Sequence, residues 1–221
     1  MPARPTRKPL HIYHHGDLRD ALVQAALAEV ERGGPEAINI SALAKQLGVS
    51  QPAPYKHFAD RESLLAAVTV VALRQFLETV REAIGKPSRR SKLSRFALAT
   101  LEFGLRRNGL YRLIFASRAM ACMPKDSELH AAAMETFGLL VEALEAPAVG
   151  TLRERSALKI WAALHGVITL AEQGLLTGQL AHISREELVE EIVEQTKLAL
   201  AVAIKAADAA VTTHPENLTV K

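Results

Sequence analysis

The stretch NISALAKQLGVSQPAPYKHF, residues 39–58, decides the fold of this chain. Its first half carries apolar residues at the spacing of one face of a short helix: Ile40, Leu43, Ala44 and Leu47. Residues 48–50, Gly-Val-Ser, then supply a tight turn, and we predict a second short helix that opens at Gln51-Pro52. Two short helices joined by a glycine-containing turn form a helix-turn-helix, whose second helix can enter the major groove of DNA.

Local signals mark where these two helices begin and end. Asn39 is a good N-cap, because its side-chain oxygen can accept a hydrogen bond from a free amide of the first turn. Gly48 suits the left-handed backbone conformation that ends a helix. Pro52 and Pro54 are expected in the first turn of the second helix, where a missing amide proton costs little. In a helix interior each proline would cost about 3 kcal/mol.

A long helix is predicted directly after this stretch. Asp60 is expected to cap it, and it runs from Arg61 to about Ile84. Its apolar stripe is broad and includes Leu64, Leu65, Val68, Val71 and Ala72. A helix that begins beside the helix-turn-helix and ends in the next domain can transmit a rigid-body shift between them.

Bulk charge says little about a binding partner. The chain has 221 residues, 49% hydrophobic and 23% charged, which is a globular composition, and its net charge is only +3. The first 60 residues carry seven basic and six acidic side chains, a balance of +1. Arg4, Arg7 and Lys8 form a short basic arm. That arm is either a solvated tail or a contact for phosphates and the minor groove.

Cysteine usage and hydropathy favour the cytoplasm. Cys122 is the only cysteine, which excludes an internal disulfide framework and a four-thiolate zinc site, and no redox role is assigned to it. No run approaches the roughly 18 uncharged apolar residues of a membrane span. We therefore expect a cytoplasmic protein with no membrane contact.

Three segments of the chain resemble the N-terminal domain of TetR-family transcriptional regulators. The matching segments are residues 13–19 (YHHGDLR), 43–50 (LAKQLGVS) and 53–58 (APYKHF). The resemblance is dense over about residues 13–70. A shorter pattern, Trp161 followed by His165-Gly166, is similar to the C-terminal domain of a subgroup named for a Trp-His-Gly pattern.

This resemblance implies an all-α protein with two domains. Residues 1–60 would hold the basic arm and the helix-turn-helix DNA-binding domain. Residues 61–221 would form a larger helical bundle for effector binding and dimerisation.

The resemblance also implies which residues contact DNA. Tyr55 and His57 would face the DNA backbone, and Gln51 could reach a base edge. The chemistry agrees, since Gln can bond two atoms of adenine while Tyr, Lys and Ser can hold phosphates. The alternative is that Tyr55 and His57 pack inside the three-helix domain, as Phe58 is expected to do. The predicted DNA-binding residues are Asn39, Ser41, Ser50, Gln51, Pro52, Ala53, Tyr55, Lys56, His57 and Arg61, the last being a family phosphate-binding position.

The rest of the chain predicts helices and a possible cavity. Helices are expected at about residues 89–108, 110–118, 126–145, 152–176 and 185–210. Aromatic and methionine side chains concentrate in the middle third, where they form ordinary core or line a cavity for an apolar effector. His165 and Glu172 share a helix face with Trp161, and a hydrogen-bonded core histidine is the alternative to a ligand contact. The predicted effector-binding residues are Phe103, Tyr111, Phe115, Met120, Phe137, Trp161, His165 and Glu172.

The last predicted helix carries a stripe of mainly small apolar residues. Such stripes let helices pack closely, either within one chain or across a four-helix dimer interface. We favour the dimer, because a symmetric DNA-binding protein needs one. The predicted interface residues are Leu188, Ile192, Thr196, Ala199 and Val202.

The helix-turn-helix pattern and the family resemblance together imply a ligand-responsive transcriptional regulator, and the resemblance alone favours a repressor. It would bind a palindromic operator in double-stranded DNA as a homodimer and be released by a small apolar effector. The sequence lacks a phosphate-binding glycine loop, an H-E-x-x-H and a G-x-S-x-G motif, so we expect no enzyme, cofactor or metal. The alternatives are a helical ligand-binding or enzymatic domain with a structural N-terminal cap, and an architectural DNA-binding protein without an effector.

Overall fold

The computed structural model describes residues 15–116 and 124–213, and within these ranges every regular element is helical. The all-α prediction is confirmed. The α-helices are α1 (His15–Gly33), α2 (Ile40–Gln46), α3 (Arg61–Gly85), α4 (Lys92–Arg106), α5 (Asn108–Phe115), α6 (Glu128–Ala143), α7 (Leu152–Glu172) and α8 (Arg185–Thr213). Short 3-10 turns lie at Pro35–Ala37, Pro54–Lys56 and Gly178–Leu180.

The start and end of α2 follow the predicted chemistry. The Asn39 side chain accepts a hydrogen bond from the Ala42 amide at 3.0 Å, so it caps the helix. Gly48 has a φ of 68°, in the left-handed region that side chains other than glycine rarely adopt. The chain therefore leaves α2 in a tight turn.

The predicted second helix of the helix-turn-helix is wrong in its extent. Only a 3-10 turn forms there, at Pro54–Lys56. The amides of Ala53 and His57 each bond the carbonyl three residues back, at 3.0 Å. The Phe58 amide bonds the Pro54 carbonyl four residues back, also at 3.0 Å, so one α-type bond follows the 3-10 turn.

Helix α3 begins at a full capping box and runs through the centre of the molecule. The Asp60 carboxylate accepts a bond from the Ser63 amide at 2.7 Å, and the Ser63 hydroxyl accepts one from the Asp60 amide at 3.1 Å. Its buried face includes Leu64, Val68 and Phe76, which join α1, α4, α5 and α6 in one continuous core.

Helix α3 is also long and apolar enough to cross a membrane by length and composition alone. Half of its most apolar window is buried inside the protein. It contains Arg74 and Glu78, so it is not an uncharged apolar run. Its contacts are those of a core helix.

The capping box predicts a pH dependence of stability. The pKa of the Asp60 carboxyl is lowered, chiefly because the Ser63 backbone amide donates to it. A depressed native pKa means that the stabilisation is present above the unfolded pKa, near 3.9, and is lost as pH falls through the native pKa. In urea unfolding below about pH 4, the free energy of unfolding of the natural chain should fall more steeply than that of Asp60→Asn, which keeps an acceptor without a charge. Parallel pH profiles would contradict this.

Candidate functional site

The residues after the turn form an exposed segment, Ser50–His57, which we term the recognition segment. Pro54 is buried within it, and Phe58, which follows it, is buried as predicted. Between these anchors Tyr55 is 52% exposed and Lys56 is also exposed. The 3-10 turn thus holds a phenol and an ammonium group out in solvent on a fixed backbone.

Two predicted DNA-binding side chains, those of Gln51 and Asn39, also make hydrogen bonds to the backbone of α2. The Gln51 side-chain amide donates to the Ser41 carbonyl at 3.3 Å, which ties the recognition segment to the first turn of α2. Asn39 caps α2. Both side chains, with those of Ser41, Ser50 and Pro52, are exposed, whereas those of Ala53 and His57 are half-buried.

Arg61 has a structural task that sequence reasoning missed. Its guanidinium donates to the carbonyls of Pro35 and Ile38 and to the Glu62 carboxylate, at 2.8 Å for the last. It thereby fastens the start of α3 to the connection between α1 and α2. Phosphate binding by Arg61 stays a prediction, and these bonds would compete with it.

A cavity of about 530 Å³ lies between helices α3, α4, α5, α6 and α7. Phe115, Phe137 and Trp161, all predicted to bind an effector, line it. The sequence periodicity could not distinguish the other lining residues from core residues, because side chains of both kinds face inward from the same helices. Those residues are Leu73, Phe76, Phe96, Thr100, Ala133, Met134, Thr136, Leu140, Leu158 and Leu164.

Four of the other predicted effector residues, Phe103, Tyr111, His165 and Glu172, do not line this cavity. Phe103 packs edge-on against Phe76, with ring centroids 5.1 Å apart. The Tyr111 hydroxyl lies 3.1 Å from His165 Nδ1, and burial raises the pKa of Tyr111, so the phenol stays neutral. Glu172 pairs with Arg112 at 3.7 Å. Met120, like the basic arm, lies outside the described residues. An effector role for these residues stays a prediction without support from the cavity.

Helix α5 connects the cavity to helix α1. A Cβ added to Gly109 would lie 2.0 Å from the Val30 carbonyl oxygen, so α5 and the last turns of α1 are in backbone contact. The Arg107 side chain donates to Glu31 of α1 and to Gln75 of α3, each at 2.8 Å. Phe115, at the far end of α5, lines the cavity.

Helices α7 and α8 present apolar side chains to solvent. Of the predicted interface residues, Val202 is 60% exposed and Ala199 is exposed, whereas Leu188, Ile192 and Thr196 are half-buried. Sequence reasoning missed Leu198, which is 68% exposed. Leu170 of α7 is also exposed. In the described part of the chain, no cluster of three or more His, Cys, Asp or Glu side chains could hold a metal ion.

Comparison with known proteins gives two family matches. Residues 22–68 match the model of bacterial regulatory proteins of the tetR family, and residues 93–196 match a tetracyclin repressor-like C-terminal domain. The chain is 26% identical over 159 residues to an uncharacterized HTH-type transcriptional regulator of Mycobacterium tuberculosis, covering 72% of each chain.

Solved structures share the fold. A protein with unknown function from Rhodococcus sp. RHA1 superposes with a TM-score of 0.69 at 26% identity, covering 87% of this chain and 100% of its own. A TetR-family transcriptional regulator from Streptomyces coelicolor gives a TM-score of 0.59 at 18% identity, covering 88% and 86%.

Proposed function

The chain belongs to the tetR family of bacterial transcriptional regulators, which bind DNA and are not enzymes, and from this membership we propose that it is an effector-released repressor. In this proposal it acts in the cytoplasm as a homodimer on a palindromic operator. We place the division between the DNA-binding and effector-binding domains before Arg61. Membership of the Trp-His-Gly subgroup stays a prediction.

The observation that carries the DNA contact is the exposure of Tyr55 and Lys56 between buried Pro54 and Phe58. Side chains held out on a fixed backbone can meet phosphates without reorganising, and phosphate contacts set the register of a protein on the duplex. Gln51, exposed at the start of the segment, has the chemistry to read adenine.

A homodimer is supported by the apolar surface of α7 and α8. Leu170, Leu198 and Val202 are large apolar side chains left in solvent on neighbouring helices. Large apolar side chains that stay exposed on adjacent helices can mark an interface. In the proposed dimer, the two recognition segments would meet half-sites about one turn of DNA apart, near 34 Å centre to centre.

Release by an effector is supported by the walls of the cavity. Leu73 and Phe76 belong to α3, whose first residue fastens the connection between α1 and α2, and Phe115 belongs to α5, which contacts α1. A ligand that favours one arrangement of α3 and α5 therefore favours one position of the DNA-binding helices. Only a ligand with different affinity for the two arrangements can shift the equilibrium.

The experiment that tests this function is selection of bound DNA from a random library, using the full chain. Enrichment of one palindrome with half-sites about one turn apart is expected. Binding of every sequence with similar affinity, collapsing steeply with salt, would instead indicate an architectural protein. Absence of any DNA binding would leave a helical domain whose N-terminal helices are only a cap.

Replacing Lys56 with alanine should weaken binding to all operator variants alike. Loss of one phosphate contact per protomer should reduce the slope of log K against log salt by about 0.9 per contact, or about 1.8 for the dimer. Gln51→Ala should instead relax sequence preference at one position in each half-site. Fluorescence anisotropy between about 50 and 200 mM salt measures both. Lys125→Ala, which removes an exposed cation in the second domain, is the matched control and should leave the slope unchanged.

A further inference from the structure

We infer that the cavity binds a neutral, mainly aromatic molecule that accepts one hydrogen bond from the Trp161 indole, and that it rejects carboxylates, phosphates and ammonium ions. This rests on the proposed role of the cavity as the effector site. It goes further by naming the chemical class of the ligand, with aryl ketones as the simplest members.

Charge selectivity follows from the lining. Among the described residues that line the cavity, none has an ionisable side chain. A charge placed inside the cavity would lose its hydration without gaining an ion-pair partner among these residues, and uncompensated burial of a charge costs far more than aromatic contact returns. We therefore expect charge, more than shape, to decide which ligands the cavity binds, and we expect it to exclude carboxylates and phosphates.

Hydrogen-bond selectivity follows from the three polar side chains in the lining. The hydroxyl of Thr100 donates to the Phe96 carbonyl and that of Thr136 to the Ala132 carbonyl, both at 2.8 Å. Each hydroxyl proton is thus used within its own helix, and these side chains can only accept. Trp161 lines the cavity, and its indole N–H can only donate. The lining therefore offers one donor, which a carbonyl or ether oxygen of a ligand can satisfy.

Aromatic character follows from the rings around that donor. The Phe115 and Trp161 rings meet edge to face, with centroids 5.7 Å apart, and Phe137 lies 6.3 Å from Trp161 on another side. Rings set at steep angles present both edges and faces, which suits a ligand with two flat rings. The cavity volume, about 530 Å³, lies within the range of sites for drug-sized ligands. Met134 and Leu158, both at least half exposed, mark the side open to solvent.

Four matched probes test the inference by calorimetry on the full chain without DNA. Benzophenone has two rings and one carbonyl, diphenylmethane lacks the carbonyl, 4-benzoylbenzoate adds an anion, and 4-benzoylbenzyl-trimethylammonium adds a cation. Benzophenone should bind about tenfold more tightly than diphenylmethane, as expected for one hydrogen bond. Both charged probes should bind at least about 100-fold more weakly than benzophenone. Since ring faces attract cations, tight binding of the ammonium probe would overturn the assignment.

The donor is tested by Trp161→Phe, which keeps a ring and removes the N–H. Benzophenone should lose about tenfold in affinity in this variant while diphenylmethane changes by less than about threefold. Equal losses for both probes, or no loss for benzophenone, would overturn the role of Trp161. Thr69→Val is the control, because Thr69 is buried with a hydroxyl bonded to the Leu65 carbonyl but does not line the cavity.

The same probes separate this inference from the proposed function. If benzophenone binds as expected but does not weaken operator binding, the ligand class stands and effector release fails. If no probe binds, or the carboxylate binds as tightly as the ketone, the ligand class fails while DNA recognition is untouched.

Discussion

Gly109→Ala is expected to lower the free energy of unfolding by about 3 kcal/mol or more, the upper end of overpacking effects. The added Cβ would lie 2.0 Å from the Val30 carbonyl oxygen and 3.0 Å from its carbon. Both are backbone atoms, so no side-chain rotation can relieve the clash. Helices α1 and α5 would have to separate, which also breaks the Arg107–Glu31 pair. Urea unfolding followed by far-ultraviolet circular dichroism measures the loss.

Gly138→Ala is the matched control for this change. Gly138 lies inside α6, and among the described residues no atom would come within 4 Å of its added Cβ. Alanine there should stabilise the protein by about 0.5–1 kcal/mol through its higher helix propensity. A Gly109→Ala variant as stable as Gly138→Ala would show that α1 and α5 are not in backbone contact.

Introducing a carboxylate at Leu198 is expected to abolish operator binding by preventing dimerisation. Among the described side chains of α8, Leu198 is the most exposed large apolar one, and Val202 follows one turn later. A glutamate buried at an apolar interface loses its hydration without gaining an ion-pair partner. The dimer dissociation constant should rise by about 100-fold or more for Leu198→Glu, with a similar change for Val202→Glu. Light scattering coupled to size exclusion measures the mass at micromolar concentration.

The control places the same charge on a different helix. Ala131 is exposed on α6, a helix outside the proposed interface, so Ala131→Glu should leave mass and operator binding unchanged. If the Leu198→Glu protein stays dimeric, the exposed face of α7 and α8 is not the interface. A monomeric protein that still binds the whole operator tightly would show that dimerisation is not needed for recognition.

Local chemistry made the helix boundaries around the turn predictable. Asn39, Gly48 and Asp60 act through atoms within a few residues of themselves, so their caps and turn could be derived from sequence alone. The extent of the second helix was the wrong prediction. Pro52 and Pro54 were placed in the first turn of an α-helix, whereas the structure has a 3-10 turn at Pro54–Lys56, followed by one bond from the Phe58 amide to the Pro54 carbonyl.

Contacts between residues far apart in the sequence could not be predicted. Tyr111 and His165 are 54 positions apart, and nothing in either neighbourhood indicates that their polar atoms meet. Arg61 was assigned to phosphate, whereas its partners are backbone carbonyls of Pro35 and Ile38, which no side-chain pattern reveals. The sequence also could not predict which aromatic residues line the cavity and which only fill the core. Phe103 and Phe115 lie on successive helices and both point inward, but only Phe115 lines the cavity.

The two prolines of the recognition segment have a thermodynamic consequence for the unbound protein. A 3-10 turn of three residues has too few hydrogen bonds to order itself. The pyrrolidine rings of Pro52 and Pro54 instead fix two φ angles covalently, which removes conformations from the disordered chain. The recognition segment therefore loses less backbone entropy when Tyr55 and Lys56 contact a duplex. The two proline rings supply the rigidity that α-helical hydrogen bonds would otherwise give.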